Sequence, residues 1–166
     1  MYQDIKLPSY DDIRNYEIIA NKAGSGINLS DLCGIWKFKY VWGNGQSDIN
    51  YISSSILQVL SANLELYQSE LTDGRSDLII RNSIKFGIFS IVFVGSAFLR
   101  GKRPLLNFNF DSFYLKMGSL NLLEKKFQKN ETLKSPFFSL IAIDKNKKWM
   151  CARGKGGGLA IWIKDQ

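Results

Sequence analysis

The residues able to do chemistry in this chain are few. It carries two cysteines, Cys33 and Cys151, and no histidine. Without histidine the usual general base, transition-metal ligand and pH switch are missing, and Ser-His and Cys-His mechanisms are excluded. Two cysteines so far apart make neither a disulfide framework nor a zinc motif; they read as free thiols of a reducing compartment. The carboxylates Asp48, Glu65, Glu70, Asp73, Asp77 and Asp111 are scattered, with no spacing that pairs them for acid–base work. The run from Gly154 to Gly158 is glycine-rich. It lacks the phosphate-loop pattern and leads into a strand-like run, so it reads as a hairpin turn. No catalytic residue, metal or cofactor is expected, although an enzyme of another kind is not excluded.

Binding chemistry is better represented. Between Leu32 and Trp42 the chain alternates, placing Trp36, Phe38, Tyr40 and Trp42 on one face of a strand, with Cys33, Ile35, Lys37, Lys39 and Val41 opposite. Side chains of a strand alternate with period two, whereas a helix would scatter these rings. Phe108 and Phe110 repeat the pattern opposite Asn107 and Asn109. These six aromatics are the candidate ligand-binding residues. The expected cavity opens near Tyr40 and Trp42, whose polar atoms suit a mouth, and away from Trp36.

The elements that must hold them are mostly short strands. The spacing predicts a helix over 8–23, with Ser9 as N-cap, Asp11 and Asp12 at its positive end and Gly24-Ser25-Gly26 after it. Strands follow at 32–42, 56–60, 63–71, 78–86, 89–99, 106–110, 137–143, 149–153 and 159–164, and a weaker one at 48–52. Thr72-Asp73-Gly74-Arg75 is a hairpin-type turn. Gly95 marks a bend. Residues 120–127 suit either a short amphipathic helix or a strand. Short strands with frequent turns mean a sandwich or barrel. At 166 residues with 45% hydrophobic content, one domain over 1–166 can bury its own core. The expectation is a mainly β fold: a single antiparallel barrel of about eight strands over 32–164, with the helix against one end.

Charge is uneven. Residues 1–98 hold 8 Lys+Arg and 10 Asp+Glu, a balance of −2; residues 99–166 hold 14 and 5, a balance of +9. The basic half suits an anionic membrane surface or an acidic protein. The lysines expected to meet it are Lys125, Lys126, Lys129, Lys145, Lys147 and Lys148, beside Lys134. Single-stranded nucleic acid is disfavoured, because the aromatics of the best strand lie opposite its lysines. Residues 1–22 contain early acids and no apolar signal core. The longest nearly apolar run, 88–99, is well short of the roughly 20 residues of a membrane span. A soluble cytoplasmic protein, or one lying on a membrane surface, is expected.

Gly34-x-Trp36 on the first strand resembles the opening of lipocalin-like barrels. There a large Trp plugs one end and a cation from a late strand lies across the indole. Arg153 is the expected cation, within about 6 Å of the ring. Gly34, Trp36 and Arg153 would together form the barrel's structural end. More specifically, Asp31-Leu32-Cys33-Gly34-Ile35-Trp36-Lys37-Phe38-Lys39-Tyr40 resembles the opening of the plastid lipid-associated proteins, or fibrillins, of plastids and cyanobacteria. Ala152-Arg153-Gly154 and the apolar run 159–164 resemble the family's close. Val41-Trp42 departs from its usual Thr or Ser, and Lys147-Lys148 from its usual acidic residues. The resemblance implies a lipocalin-like barrel that carries a lipophilic molecule, such as an isoprenoid, quinone, pigment or acyl lipid, at or near thylakoid membranes. Lipocalin-like barrels also include bilin chromophore lyases for phycobiliproteins, which hold the chromophore in shape. That is the alternative function.

Overall fold

The computed structural model describes residues 5–43, 45, 47–49, 62–69, 78–102, 104–127 and 136–165. The strand predicted at 56–60, the turn at 72–75, and Glu70, Asp73, Asp77, Lys129 and Lys134 lie outside these residues.

The first element is helix α1, Tyr10–Ala23. Ser9 caps it, its hydroxyl accepting from the Asp12 N–H while the Asp12 carboxylate accepts from the Ser9 N–H. This reciprocal box satisfies donors that a helix start leaves open. Gly24 ends it with φ 88°, a conformation that favours glycine. A single turn, α2 (Leu29–Leu32), precedes strand β1 (Gly34–Trp42). The other strands are β2 (Asn63–Gln68), β3 (Leu78–Phe86), β4 (Phe89–Arg100), β5 (Leu105–Met117), β6 (Leu120–Lys126), β7 (Phe137–Ile143), β8 (Trp149–Gly154) and β9 (Leu159–Lys164).

The strands pair antiparallel in the order β4-β3-β2-β1-β9-β8-β7-β5-β6, and β4 also pairs with β5. That last pairing closes a ring, so the protein is a β-barrel. β6 stands outside the ring, as a flap on the far half of β5. Only Leu105, Leu106 and Asn107 of β5 meet β7.

Two clusters make the core. The inner one fills the barrel, with Leu66, Leu78, Ile80, Leu106 and Leu140 almost wholly buried around Trp36. Each such aliphatic side chain stabilises by about 1.5–3 kcal/mol relative to an exposed one. The outer cluster lies between the wall and α1 and contains Ile13, Trp42, Ile141, Trp149, Cys151, Leu159 and Ile161. The helix therefore covers the flank of the barrel over β7, β8 and β9, not an end as expected. Its buried side is narrow although Ile13, Tyr16, Ile18, Ile19 and Ala20 are all apolar or aromatic. Ile13 and Ala20 are buried, but Tyr16, Ile18 and Ile19 are exposed.

Closure of one end falls to α2. Leu32 is buried in the inner cluster, with Ile27 beside it. The Trp36 Nε1–H donates to the Leu32 carbonyl at 2.7 Å, which satisfies the one polar atom of a wholly buried indole.

Candidate functional site

The four aromatics of β1 do not share a face. The pairing of β1 with β9 slips between Phe38, opposite Trp162, and Tyr40, opposite Ile161. Lys39 is the extra residue of a bulge, and beyond it the strand's inside and outside exchange. Trp36 and Phe38 face the barrel interior, whereas Tyr40 and Trp42 belong to the outer cluster under α1. Trp42 packs against Tyr10, with ring centroids 6.0 Å apart. The mouth expected beside Tyr40 and Trp42 is a packed helix–wall interface. A second bulge, at Ile141 between Leu140 and Ala142 of β7, likewise turns Ala142 outward to join Ile141 in the outer cluster.

What the interior holds instead is a file of rings. Trp162 meets Phe38 edge-on at 6.4 Å and Phe138 at 5.5 Å. Phe138 lies 5.1 Å from Phe108, and Phe108 lies 5.4 Å from Phe110. Phe93 then stands 5.3 Å from both Phe110 and Phe113. These separations and tilts are the favoured ones for aromatic pairs. Phe108 and Trp162 are 7% and 8% exposed, while Phe38, Phe93, Phe110, Phe113 and Phe138 are only half-buried. The file thus mixes nearly buried and half-buried rings and emerges at the end opposite α2, an open end in that no described helix or strand closes it.

Its emergence has a backbone cause. Phe110 and Ser112 flank a bulge at Asp111, opposite Gly95 and Val94 of β4. A Cβ on Gly95 would fall 1.8 Å from the Asn109 carbonyl oxygen, so β4 and β5 approach this closely only because residue 95 has no side chain. The bulge keeps Phe110 and Phe113 on the inner side although they are three residues apart.

The predicted end group is rearranged. Arg153 points outward from β8, where its Nε and Nη2 donate to the two Glu17 carboxylate oxygens of α1, both at 2.7 Å, and its Nη1 donates to the Gly157 carbonyl at 2.6 Å. This pairing holds the guanidinium pKa above its usual range. The cation over Trp36 is Lys164, with Nζ 5.1 Å from the ring centroid. Gly34, at φ 132°, makes room: a Cβ there would lie 2.7 Å from Lys164 Cε.

The basic residues divide. Lys125 and Lys126 are exposed on β6, beside Ser112 and Phe113 at the open end. Lys145 is exposed on the β7–β8 turn, and Lys147 pairs with Asp31 of α2 at 2.9 Å, which places that turn at the closed end. Lys148 is half-buried there. The lysines therefore do not form one surface, although Lys125, Lys126 and Lys145 are exposed as expected.

The carboxylate candidates sit elsewhere. Glu65 is buried on β2 and accepts from the Tyr67 hydroxyl at 2.6 Å, with Arg81 Nη1 at 3.6 Å. The hydrogen bond to Glu65 raises the Tyr67 pKa. Neither Asp48 nor Asp111 takes part in these two contacts. Among the described residues no three His, Cys, Asp or Glu side chains gather as a metal site would require. The Gly154–Gly158 segment is a hairpin turn closed by the Gly154 N–H to Gly158 carbonyl bond at 2.9 Å.

Among the described residues, surface concavities include three that are not lined by the file. One of about 350 Å³ lies between α1 and the β7–β8 hairpin, against Tyr16, Ala20 and Trp149. Another surrounds Arg14, Glu17 and Arg153, and the third lies beside α2.

Sequence reasoning found Phe38, Phe108 and Phe110 but missed Phe93, Phe113, Phe138 and Trp162. Parity within the last strand carried part of the signal. Ala160, Trp162 and Lys164 share one face, and that face contains both one of the file's two nearly buried rings and the cation over Trp36.

No known family model matches the sequence, and no curated protein matches it.

Proposed function

We propose that this barrel binds the apolar part of a small lipophilic molecule, such as an isoprenoid, quinone, pigment or acyl chain, along the aromatic file at its open end. The observation that carries this reading is the file itself, in which nearly buried Trp162 and Phe108 are joined to half-buried Phe38, Phe138, Phe110, Phe93 and Phe113. Half-wet rings in van der Waals reach of one another offer a track on which a chain displaces water and gains dispersion contacts. On this reading the ligand lies along the track and not in a closed chamber. The role would resemble that of the plastid lipid-associated proteins whose first strand this one resembles, at or near a photosynthetic membrane. Among the described residues no helix is long and apolar enough to cross a membrane.

Organic extraction of the purified protein followed by mass spectrometry tests for a retained ligand. Titration with isoprenoids, quinones and acyl lipids should change tryptophan emission in the wild type and not in Trp162→Phe. A wild type that retains nothing and shows no change with any of them overturns the reading.

A further inference from the structure

Past the barrel's open end the β3–β4 and β5–β6 hairpins continue without pairing to any other described strand. β2 accompanies β3 no further than the Asn63–Ser83 pair, whereas β3 and β4 stay paired to Phe86 and Phe89. Both turns are tight and use a left-handed glycine, Gly87 at φ 58° and Gly118 at φ 57°. The two tips are joined, because the Gly118 N–H donates to the Ile88 carbonyl at 2.8 Å. They form one blunt projection.

Its surface is apolar. Ile88 is 64% exposed, Leu120 61%, Leu123 52% and Leu122 49%. Single exposed aliphatics are ordinary, but four around one pair of joined turns are not. The charges nearby have one dominant sign. Lys85 and Lys116 each stand two residues before the tip glycines, and Lys125 and Lys126 lie further along β6. Glu124 is the one acidic residue in β6.

We propose that the joined tips dock on the surface of an anionic lipid bilayer. Ile88 and the β6 leucines enter the boundary between headgroups and acyl chains, and the lysines behind them face the anionic headgroups. A wedge of aliphatics backed by lysines follows the energetics of interfacial binding, where buried apolar area and attraction to anionic lipid add. Charge argues against a second copy on this surface, since two such tips would bring their lysines together. The inference stands apart from the ligand reading: the tips lie outside the aromatic file, and either could fail alone.

The test is flotation of the full chain with vesicles of phosphatidylglycerol and phosphatidylcholine, and with vesicles of phosphatidylcholine alone. The wild type should bind the anionic vesicles and lose binding in high salt. The Ile88→Asp, Leu120→Asp double variant should lose about tenfold or more in affinity. Lys85→Gln with Lys116→Gln should lose severalfold while keeping any residual binding to neutral vesicles. Circular dichroism and the melting temperature verify that the exposed substitutions leave the barrel folded. The proposal is overturned if the wild type ignores anionic vesicles or if the tip variant binds like wild type. It is also overturned if light scattering shows a dimer that the tip variant abolishes while vesicles remain unbound. That last outcome assigns the surface to a second copy.

Discussion

The Lys164 ammonium lies 5.1 Å from the centre of the Trp36 indole, across the position where Gly34 has no side chain. Three residues from the first and last strands thus meet at the closed end. Lys164→Met is expected to lower unfolding free energy by about 0.5–2 kcal/mol in urea denaturation. Gly34→Ala should cost more than about 1 kcal/mol, because φ 132° disfavours a side chain and Lys164 must move. If Lys164→Met leaves the midpoint unchanged, the contact contributes nothing to stability.

The Arg153–Glu17 pair is the polar clasp between wall and helix. Its side chains are 22% and 13% exposed, so solvent weakens it only in part. A double-mutant cycle with Arg153→Met and Glu17→Gln should give a coupling of about 1–3 kcal/mol. Hydrogen exchange should quicken in α1 and not in β3 or β4. A coupling near zero would mean that α1 is held by its apolar contacts alone.

The two halves of β1 should separate stability from binding. Trp42→Ala is expected to cost about 3–5 kcal/mol, since the ring is buried under α1, yet to leave lipophile affinity in the folded protein unchanged. Phe110→Ala should weaken lipophile binding at a smaller cost in stability, because its ring is half-exposed on the file. The reverse pattern would place the ligand beneath the helix.

Asp31 gives the closed end a pH dependence. Its carboxylate accepts from the Asn28 N–H at 2.9 Å and pairs with Lys147, and these contacts lower its pKa, the backbone hydrogen bond most of all. A folded pKa below the unfolded one contributes stability that is complete above the unfolded value of 3.8 and is lost as pH falls through the folded value. Asp31→Asn should therefore be destabilised relative to wild type near neutral pH. The gap should shrink as pH falls below about 4. A gap that stays constant across that window would show that Asp31 acts through shape and not charge.

Cys151 should be chemically silent. Burial pushes its thiol pKa up to about 12, so little thiolate forms near neutral pH. A thiol reagent at pH 8 should label it only once the barrel unfolds, as peptide mapping can follow. Labelling in the native state at the rate of the half-buried Cys33 would show that the outer cluster opens readily.

Much of this architecture was legible beforehand because it rests on local rules. Ser9 and Asp12 spell the start of α1, and alternation marks most strands. Short strands between turns implied a sandwich or barrel, and the likeness of the first strand to lipocalin-like barrels chose the barrel. What could not be read depends on single insertions and on partners. The bulge at Lys39 changes no composition and no local propensity, yet it sends Tyr40 and Trp42 to the far side of the wall. β6 resisted reading because every one of its residues is exposed, so no buried face imposes a period on Leu120–Lys126. Assigning Arg153 to Trp36 relied on its place in the chain. Its neighbours Trp149 and Cys151 share its outward side, and the β1–β9 register, which sets Lys164 opposite Trp36, brings that lysine to the indole.

The ring also joins the first and last described strands, β1 and β9, which pair from Trp36–Lys164 to Trp42–Leu159 around the Lys39 bulge. Those partners are among the most distant in the chain, so the contact that completes the barrel costs loop-closure entropy before it stabilises anything. β3, β4, β5 and β6 pair in sequence order through short turns and meet no such delay. A growing chain should therefore build this meander first, with its phenylalanines unshielded, and shut the barrel only when residues 159–164 have been made. Pulse-labelled hydrogen exchange during refolding should show β4 and β5 amides protected ahead of those in β1 and β9. Simultaneous protection would mean that the two ends meet before the middle forms.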